Sequence, residues 1–261
     1  MKIYHAALGE EPLPRLSPED NAKPYAEYYY CGPVRPESPM YEKTLPGNPM
    51  EPKYALLPEQ IGTLFKGEEV PEDRGYCITS DGFGYASITT NMPNVTMPMV
   101  RWYGKWNLED PLRYTIWFPG SHVTQDQDWI VEDLGFGMCE LFMKVPLSTA
   151  SFRISPDIAA ENGCLLAGGS NMLMKVCNGP EIDPPYNIAL LHYVRAAERG
   201  IQWHTRFWIG IEVVDGKAVN RLRPGQTVPL EIARGFCEHS AYEMATRAAR
   251  LPEWYQRFGN E

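Results

Sequence analysis

Between residues 75 and 214 the chain repeatedly alternates apolar and polar positions, the two-residue period of half-buried strands. Tyr76-Cys77-Ile78 leads into an Asp81-Gly82 turn, and 85–90 reads as the returning strand. Residues 112–118 alternate with Tyr114, Ile116 and Phe118 on one face, which predicts a further strand, and 139–145 and 172–177 add two more. Residues 186–196 and 201–214 are joined only by Ala197-Glu198-Arg199-Gly200, so they are expected to form an antiparallel hairpin. The period changes to that of a helix at 229–250. Pro229 can open it, Glu231 suits its positive end, Arg247 and Arg250 suit its negative end, and Pro252 is expected to stop it.

The first sixty residues read differently. They hold 11 of the 24 prolines, several only three apart (Pro33, Pro36, Pro39; Pro46, Pro49, Pro52). Proline fixes φ and removes a backbone donor, so this segment is expected to be an extended arm. Tyr25, Tyr28, Tyr29, Tyr30 and Tyr54 make it too aromatic for a free linker, so it should pack on the body, closed by a short helix near 58–65. Antiparallel strands followed by one long helix predict an α+β fold in which a curved sheet grips that helix. The expected organisation is an N-terminal Pro-rich arm over 1–70 and a main domain over 71–261.

Composition narrows the function. A chain of 261 residues that is 44% hydrophobic can bury a substantial core, and no apolar run approaches the roughly 18 residues of a membrane span. The net charge of −9 argues against a nucleic-acid partner, which demands a basic surface. None of the six cysteines forms a C-x-x-C pair, and the first residues lack a secretory pattern; reduced thiols and a cytoplasmic protein are expected.

Candidate chemistry centres on the few histidines. His239 and Glu243 lie four apart on the C-terminal helix, in the stripe begun by Ile232 and Phe236, so both face the sheet. An imidazole and a carboxylate buried together require a mutual hydrogen bond or a metal, and the alternative to both is a solvated end of the helix. His122 follows Trp117-Phe118-Pro119-Gly120, where a ligand can reach a cavity mouth, although on its own it reads more readily as a loop histidine. His192 shares a strand face with Ile188, Leu190 and Val194, which suits either a satisfied core histidine or a proton carrier in a pocket. His204 shares its face with Gln202 and Arg206 and is expected to be solvated. Met92, Met97 and Met99 read as adaptable core. Phosphate-loop, dinucleotide-loop, nucleophile-elbow and H-E-x-x-H patterns do not occur.

Several motifs in chain order resemble one family. Residues 97–106 (Met-Pro-Met-Val-Arg-Trp-Tyr-Gly-Lys-Trp), 110–114 (Asp-Pro-Leu-Arg-Tyr), 117–122 (Trp-Phe-Pro-Gly-Ser-His), 131–135 (Val-Glu-Asp-Leu-Gly), 206–210 (Arg-Phe-Trp-Ile-Gly) and the His239…Glu243 pair resemble the 2,4-diacetylphloroglucinol and phloretin hydrolases. The resemblance covers about 75–250. It implies a helix-grip (START-like) fold, a zinc ion held by two His and two Glu, and hydrolysis of the carbon–carbon bond between an acyl group and a polyhydroxylated ring. Carried over by motif, the ligands are His122, Glu132, His239 and Glu243, with Glu132 preferred over Glu140 because of its Val-Glu-Asp-Leu-Gly context. Tyr114 resembles the family's catalytic tyrosine, His192 its pocket histidine, and Gln125 stands where the family has asparagine. A family tyrosine on a later strand corresponds to Phe207, and the segment between the first His and first Glu ligand is shorter here. Trp102, Trp106 and Trp208 are candidates to line a ring slot or to be ordinary core. The implied partner is a small acylated phenol, with a homodimer possible. A non-catalytic carrier would bind no metal and tolerate His239→Ala, whereas a non-haem iron oxygenase would need iron and oxygen.

Overall fold

The computed structural model describes residues 13–36, 49–68, 70, 72–178 and 185–260; His5, Pro39 and Pro46 lie outside them. In chain order the elements are α1 (Pro18–Asn21), α2 (Glu27–Tyr30), α3 (Ile61–Phe65), β1 (Gly75–Ile78), β2 (Gly84–Met92), α4 (Met97–Trp106) and α5 (Pro111–Thr115). Then follow β3 (His122–Gln125), β4 (Trp129–Asp133), β5 (Met138–Pro146), α6 (Pro156–Glu161), β6 (Cys164–Asn178), β7 (Tyr186–Ala196) and β8 (Ile201–Ile209). The chain closes with β9 (Ile211–Val214), β10 (Lys217–Asn220) and α7 (Leu230–Phe258). Eight strands form one antiparallel sheet in the order β1-β2-β8-β7-β6-β5-β4-β3, and β9 pairs with β10 apart from it. The fold is therefore α+β, a large antiparallel sheet with a long C-terminal helix.

Both sheet faces are covered, and this decides where polar groups end up. On the inner face Ile88, Leu141, Met172, Ile188 and Phe207 pack with Ile232 and Phe236 of α7. On the outer face Tyr85, Leu191, Tyr193 and Trp208 pack under Leu56, Ile61, Leu64 and Phe65, and Trp208 Nε1 donates to the Leu56 carbonyl at 2.8 Å. A third cluster joins Tyr25 and Tyr28 to Trp106, Trp254 and Phe258. The predicted β7–β8 hairpin forms around Gly200, whose φ of +71° and closeness to the Met92 carbonyl leave no room for a Cβ.

Five expectations are corrected. Residues 112–118 are not a strand: Asp110 caps a helical turn by accepting from the Leu112 N–H at 2.8 Å, with Pro111 at its first position, and this local capping overrides the alternation. The run 201–214 breaks into β8 and β9 at Gly210, which has φ +95°. The N-terminal arm is not extended throughout, since α1 and α2 interrupt it, α1 capped by Ser17. Pro252 does not stop the long helix, which runs on to Phe258. Proline inside a helix costs about 3 kcal/mol, but Leu251 and Phe258 beyond and beside it are buried, each worth roughly 1.5–3 kcal/mol. Arg247 is consequently not at the helix end but buried within its interior. His204, expected in solvent, is only 5% exposed because Tyr193 stacks on its ring and Leu64, Glu68 and Asp73 crowd the small space over its face.

Candidate metal centre

The centre is assembled from two sheet strands and the helix packed over them. His122 on β3 lies directly across from Glu132 on β4, so ring and carboxylate are cross-strand neighbours. The His122 ring stacks on Tyr114 with centroids 4.2 Å apart, and its Nδ1 is 3.2 Å from the Tyr114 carbonyl. A carbonyl only accepts, so Nδ1 carries the hydrogen and Nε2 presents a lone pair. Across from it, α7 can approach the loop after β4 only because residue 235 is glycine. A Cβ there would fall 2.5 Å from the Phe136 ring and 2.7 Å from the Leu134 carbonyl. One turn later His239 reaches the same point. Ser121 Oγ donates to the Asp133 carbonyl at 2.5 Å and lies 3.0 Å from His239 Nδ1, so the serine accepts from Nδ1–H and leaves the Nε2 lone pair facing inward.

The two Nε2 atoms face each other at 3.2 Å. Two lone pairs cannot bond to each other, so a proton or a cation belongs between them. Glu132 brings Oε1 to 3.6 Å from His122 Nε2 and Oε2 to 3.6 Å from His239 Nε2. Glu243 Oε2 lies 3.5 Å and 3.8 Å from the same two nitrogens. His122, Glu132 and His239 form the compact trio, with ligand atoms within 4.8 Å of one another, and Glu243 closes on the histidines beside it. Four ligands about 2.1 Å from a tetrahedral centre would stand about 3.4 Å apart. The buried donors of the trio thus suit a divalent ion in kind and spacing, and the His122–Glu132–His239 group could hold a metal.

Second partners fix each ligand. The Tyr114 hydroxyl donates to Glu132, Ser240 Oγ donates to Glu243 Oε1 at 2.9 Å, and Trp117 Nε1 donates to the Glu243 carbonyl at 3.0 Å. Burial raises Glu132 despite the pull of His122. Burial would raise Glu243 as well, but in the metal-free site a proton taken up by the facing imidazoles, donated to it by His122 and felt as charge from His239, outweighs this and holds it at about 2. Burial, reinforced by the Glu132 charge, lifts the Tyr114 phenol well above its ordinary range, so it stays protonated.

A cavity of about 280 Å³ opens beside these groups, with Glu132, His239 and Glu243 in its wall. His192 also lines it. His192 Nδ1 lies 2.9 Å from Thr205 Oγ1 and 3.4 Å from the Trp203 indole nitrogen; the indole N–H can only donate, so Nδ1 is the acceptor, the threonine hydroxyl donates to it as well, and Nε2–H is the remaining donor. Burial holds this ring near 4, so it is neutral at pH 7. Gln125 lines the cavity with its Nε2 bonded to the Asn107 carbonyl, and Phe207 contributes apolar wall. Tyr114 and Trp117 both reach it because they lie three apart on and just after the turn α5. Glu140 is paired instead with Lys175 at 3.5 Å.

Trp102, Trp106 and Trp208 do not line the cavity; Trp117 and Trp203 do. Trp102 and Trp106 stack on each other at 5.0 Å, and Trp208 belongs to the outer face. Sequence reasoning missed Ser121, Ser240, Trp203 and the cavity role of Arg247. For Arg247 the signal was present, since it extends the His239–Glu243 stripe by four residues. The two serines carried none, because their role depends on tertiary contacts.

The family profile described as DAPG hydrolase PhiG domain matches residues 56–135 and 127–256. A 2,4-diacetylphloroglucinol hydrolase from a Pseudomonas species is 25% identical over 91% of this chain and 89% of its own. The 2,4-diacetylphloroglucinol hydrolase of Pseudomonas protegens is also 25% identical, over 91% and 85%. The phloretin hydrolase of Eubacterium ramulus is 27% identical over 81% of this chain and 82% of its own.

Proposed function

The chain belongs to the DAPG hydrolase PhiG domain family, and from that premise we propose that it is a zinc-dependent hydrolase of acylated polyhydroxyphenols. The reaction adds water across the bond between ring carbon and acyl carbon, giving a free phenol and a carboxylic acid. The observation that carries the reading is the facing pair of Nε2 lone pairs on His122 and His239, flanked by Glu132 and Glu243 and set beside a cavity large enough for one aromatic ring. An N/O set of two imidazoles and two carboxylates suits zinc. A zinc ion held there would supply Lewis acidity and lower the pKa of water toward 7.

The chain's own residues supply the rest. For the ring carbon to leave, it must take up a proton before or as the carbon–carbon bond breaks. Tyr114, protonated and held by Glu132, and His192, neutral with its Nε2–H remaining, suit the holding of ring hydroxyls in the keto form and the transfer of that proton. Gln125 would position a further hydroxyl. Apolar walls such as Ile130, Leu141, Met172 and Phe207 exclude bulk water and strengthen these contacts. We read the sheet and α7 as a helix-grip architecture, residues 71–261 as the catalytic domain and 1–70 as an arm packed on it.

The test is metal analysis by mass spectrometry on protein purified without added metal, alongside His239→Ala, followed by assay with phloretin and 2,4-diacetylphloroglucinol. Near-stoichiometric zinc, lost in the variant together with hydrolysis, is the expected result. Metal-free protein that zinc cannot activate would overturn the reading, and iron with oxygen-dependent product would replace it with an oxygenase.

A further inference from the structure

His239, Glu243, Arg247 and Leu251 follow one another at four-residue spacing on α7, and all four line the cavity. Arg247 therefore stands about 6 Å farther along the helix than Glu243. Its guanidinium carbon lies 3.3 Å from the Trp117 ring centroid, 4.3 Å from that of Trp203 and 4.7 Å from that of Tyr103. The residue is 3% exposed, and its Nε has no hydrogen-bond partner. Among the described residues no ion pair joins it to a carboxylate; it shares a hydrogen bond with the Tyr103 phenol and feels the Glu243 charge only from beyond contact distance. Both nearby carboxylates are engaged elsewhere, Glu132 by Tyr114 and Glu243 by Ser240 and the histidines.

A buried cation without a counter-ion is costly, and such groups are normally paired. The charge sum points to the missing partner. A divalent metal balances Glu132 and Glu243, which leaves the single positive charge of Arg247 for a ligand of charge −1. Burial brings Arg247 down only to about 10, so it remains charged at neutral pH. The other ionisable groups on elements facing it are Tyr103 on α4, Tyr114 on α5 and His192 on β7, none of them anionic at pH 7. The indoles of Trp117 and Trp203 beside the guanidinium offer flat surfaces that suit an aromatic ring. An acyl group conjugated with a ring hydroxyl spreads the phenolate charge, so acyl phenols ionise closer to neutrality than simple phenols.

We propose that Arg247 recognises an ionised ring hydroxyl, so that the cavity selects acyl phenols as their monoanionic phenolates. This rests on the hydrolase reading above and specifies the form in which that substrate is taken.

The test uses 4-nitrophenol, a chromophoric phenol with no acyl bond to cleave, titrated by absorbance in the zinc-loaded full chain. In the wild type, bound 4-nitrophenol should ionise about one pH unit or more below its free value, an opposite-charge effect of ordinary size. Arg247→Lys should keep part of that shift, and Arg247→Met and Arg247→Gln should abolish it. Melting temperature and zinc content identify which neutral variant is folded and loaded. An unchanged shift in either folded neutral variant would overturn the proposal and leave Arg247 as packing between aromatic rings. Phloretin hydrolysis by the wild type is read separately. If hydrolysis is absent but the Arg247-dependent shift is present, the hydrolase reading fails; if hydrolysis is intact without the shift, the phenolate proposal fails.

Discussion

The sheet carries a buried polar cluster on each face, and the two are built to opposite rules. On the outer face Arg206 donates from Nε and Nη2 to Asp73 Oδ2 at 2.9 and 2.5 Å, and Tyr85 donates to Asp73 Oδ1 at 2.5 Å. His204 stacks on Tyr193 at 4.4 Å and meets Thr89 at 3.1 Å. One acid answers one base, with only Arg206 Nη1 and His204 Nε2 lacking a hydrogen-bond partner, and the adjoining space is only about 10 Å³. On the inner face two carboxylates and two histidine lone pairs converge beside about 280 Å³, with an arginine that is bonded to the Tyr103 phenol but to no carboxylate. Polarity that answers itself holds a fold together, whereas polarity left converging on a cavity is complementary to something the chain does not itself provide.

The sharpest break of this comparison is a matched pair of carboxylate-to-amide substitutions. Asp73→Asn strands the Arg206 guanidinium, so unfolding free energy should drop by about 3–5 kcal/mol with zinc stoichiometry unchanged in the folded fraction. Glu132→Gln should do the reverse. Metal-free protein should unfold no more easily than the wild type, because one of two desolvated carboxylates is gone, while zinc affinity falls by about 100-fold or more. Urea titrations with and without chelator, plus competition with a metal indicator, read both. If Asp73→Asn cost zinc rather than stability, the distinction between the faces would collapse.

A smaller effect sharpens how the inner face is assembled. Gly235→Ala would raise intrinsic helix propensity by about 1 kcal/mol, but the new methyl would meet the Leu134 carbonyl at 2.7 Å and the Phe136 ring at 2.5 Å. Backbone yields little, so a net destabilisation of roughly 1–3 kcal/mol is expected. Weaker zinc binding should accompany it, since α7 must retreat from β4 and carry His239 with it. Stability gained with unaltered zinc affinity would show that the close approach is dispensable.

The two faces also differ in how legible they were in the sequence. The His239–Glu243 stripe could be read because a helix keeps its period whatever packs on it, and the β7–β8 hairpin because four residues leave the chain no other course. The strands β3 and β4 are only four and five residues long, and only their partners make them strands. Asp110-Pro111 carried a helix start that alternation over 112–118 obscured. His204 looked solvated because Gln202 and Arg206 share its face, and nothing local announces that a segment more than a hundred residues earlier will cover them. Arg247 was read as a helix-end charge because Pro252 was taken as the stop. Each failure has the same cause: the deciding contact is distant in sequence.

The least of the expected effects tests the outer cluster by pH. Burial, with the charges of Arg206, Arg195 and Arg74 nearby, holds His204 well below its ordinary range, so the ring is neutral in the fold. Thr89 and Tyr193, which touch it, bring no charge at pH 7. Unfolded, it would titrate near 6.5. The unfolded chain therefore binds one more proton than the native one between 6.5 and the depressed folded value. The contribution is complete above about 6.5 and is lost as pH falls through that window, at up to about 1.4 kcal/mol per pH unit. His192, held near 4 on the inner face, adds a second proton with the same sign. Set against the raised carboxylates Glu132, Asp73 and Glu238, which act with the opposite sign in both proteins, His204→Gln should lower the slope of unfolding free energy between pH 6 and 4.5 by up to about 1.4 kcal/mol per pH unit in chelated protein, measured by urea titration. An unchanged slope would mean that His204 already takes up its proton in the native state, and the outer face would then be less self-contained than its Asp73–Arg206 pair suggests.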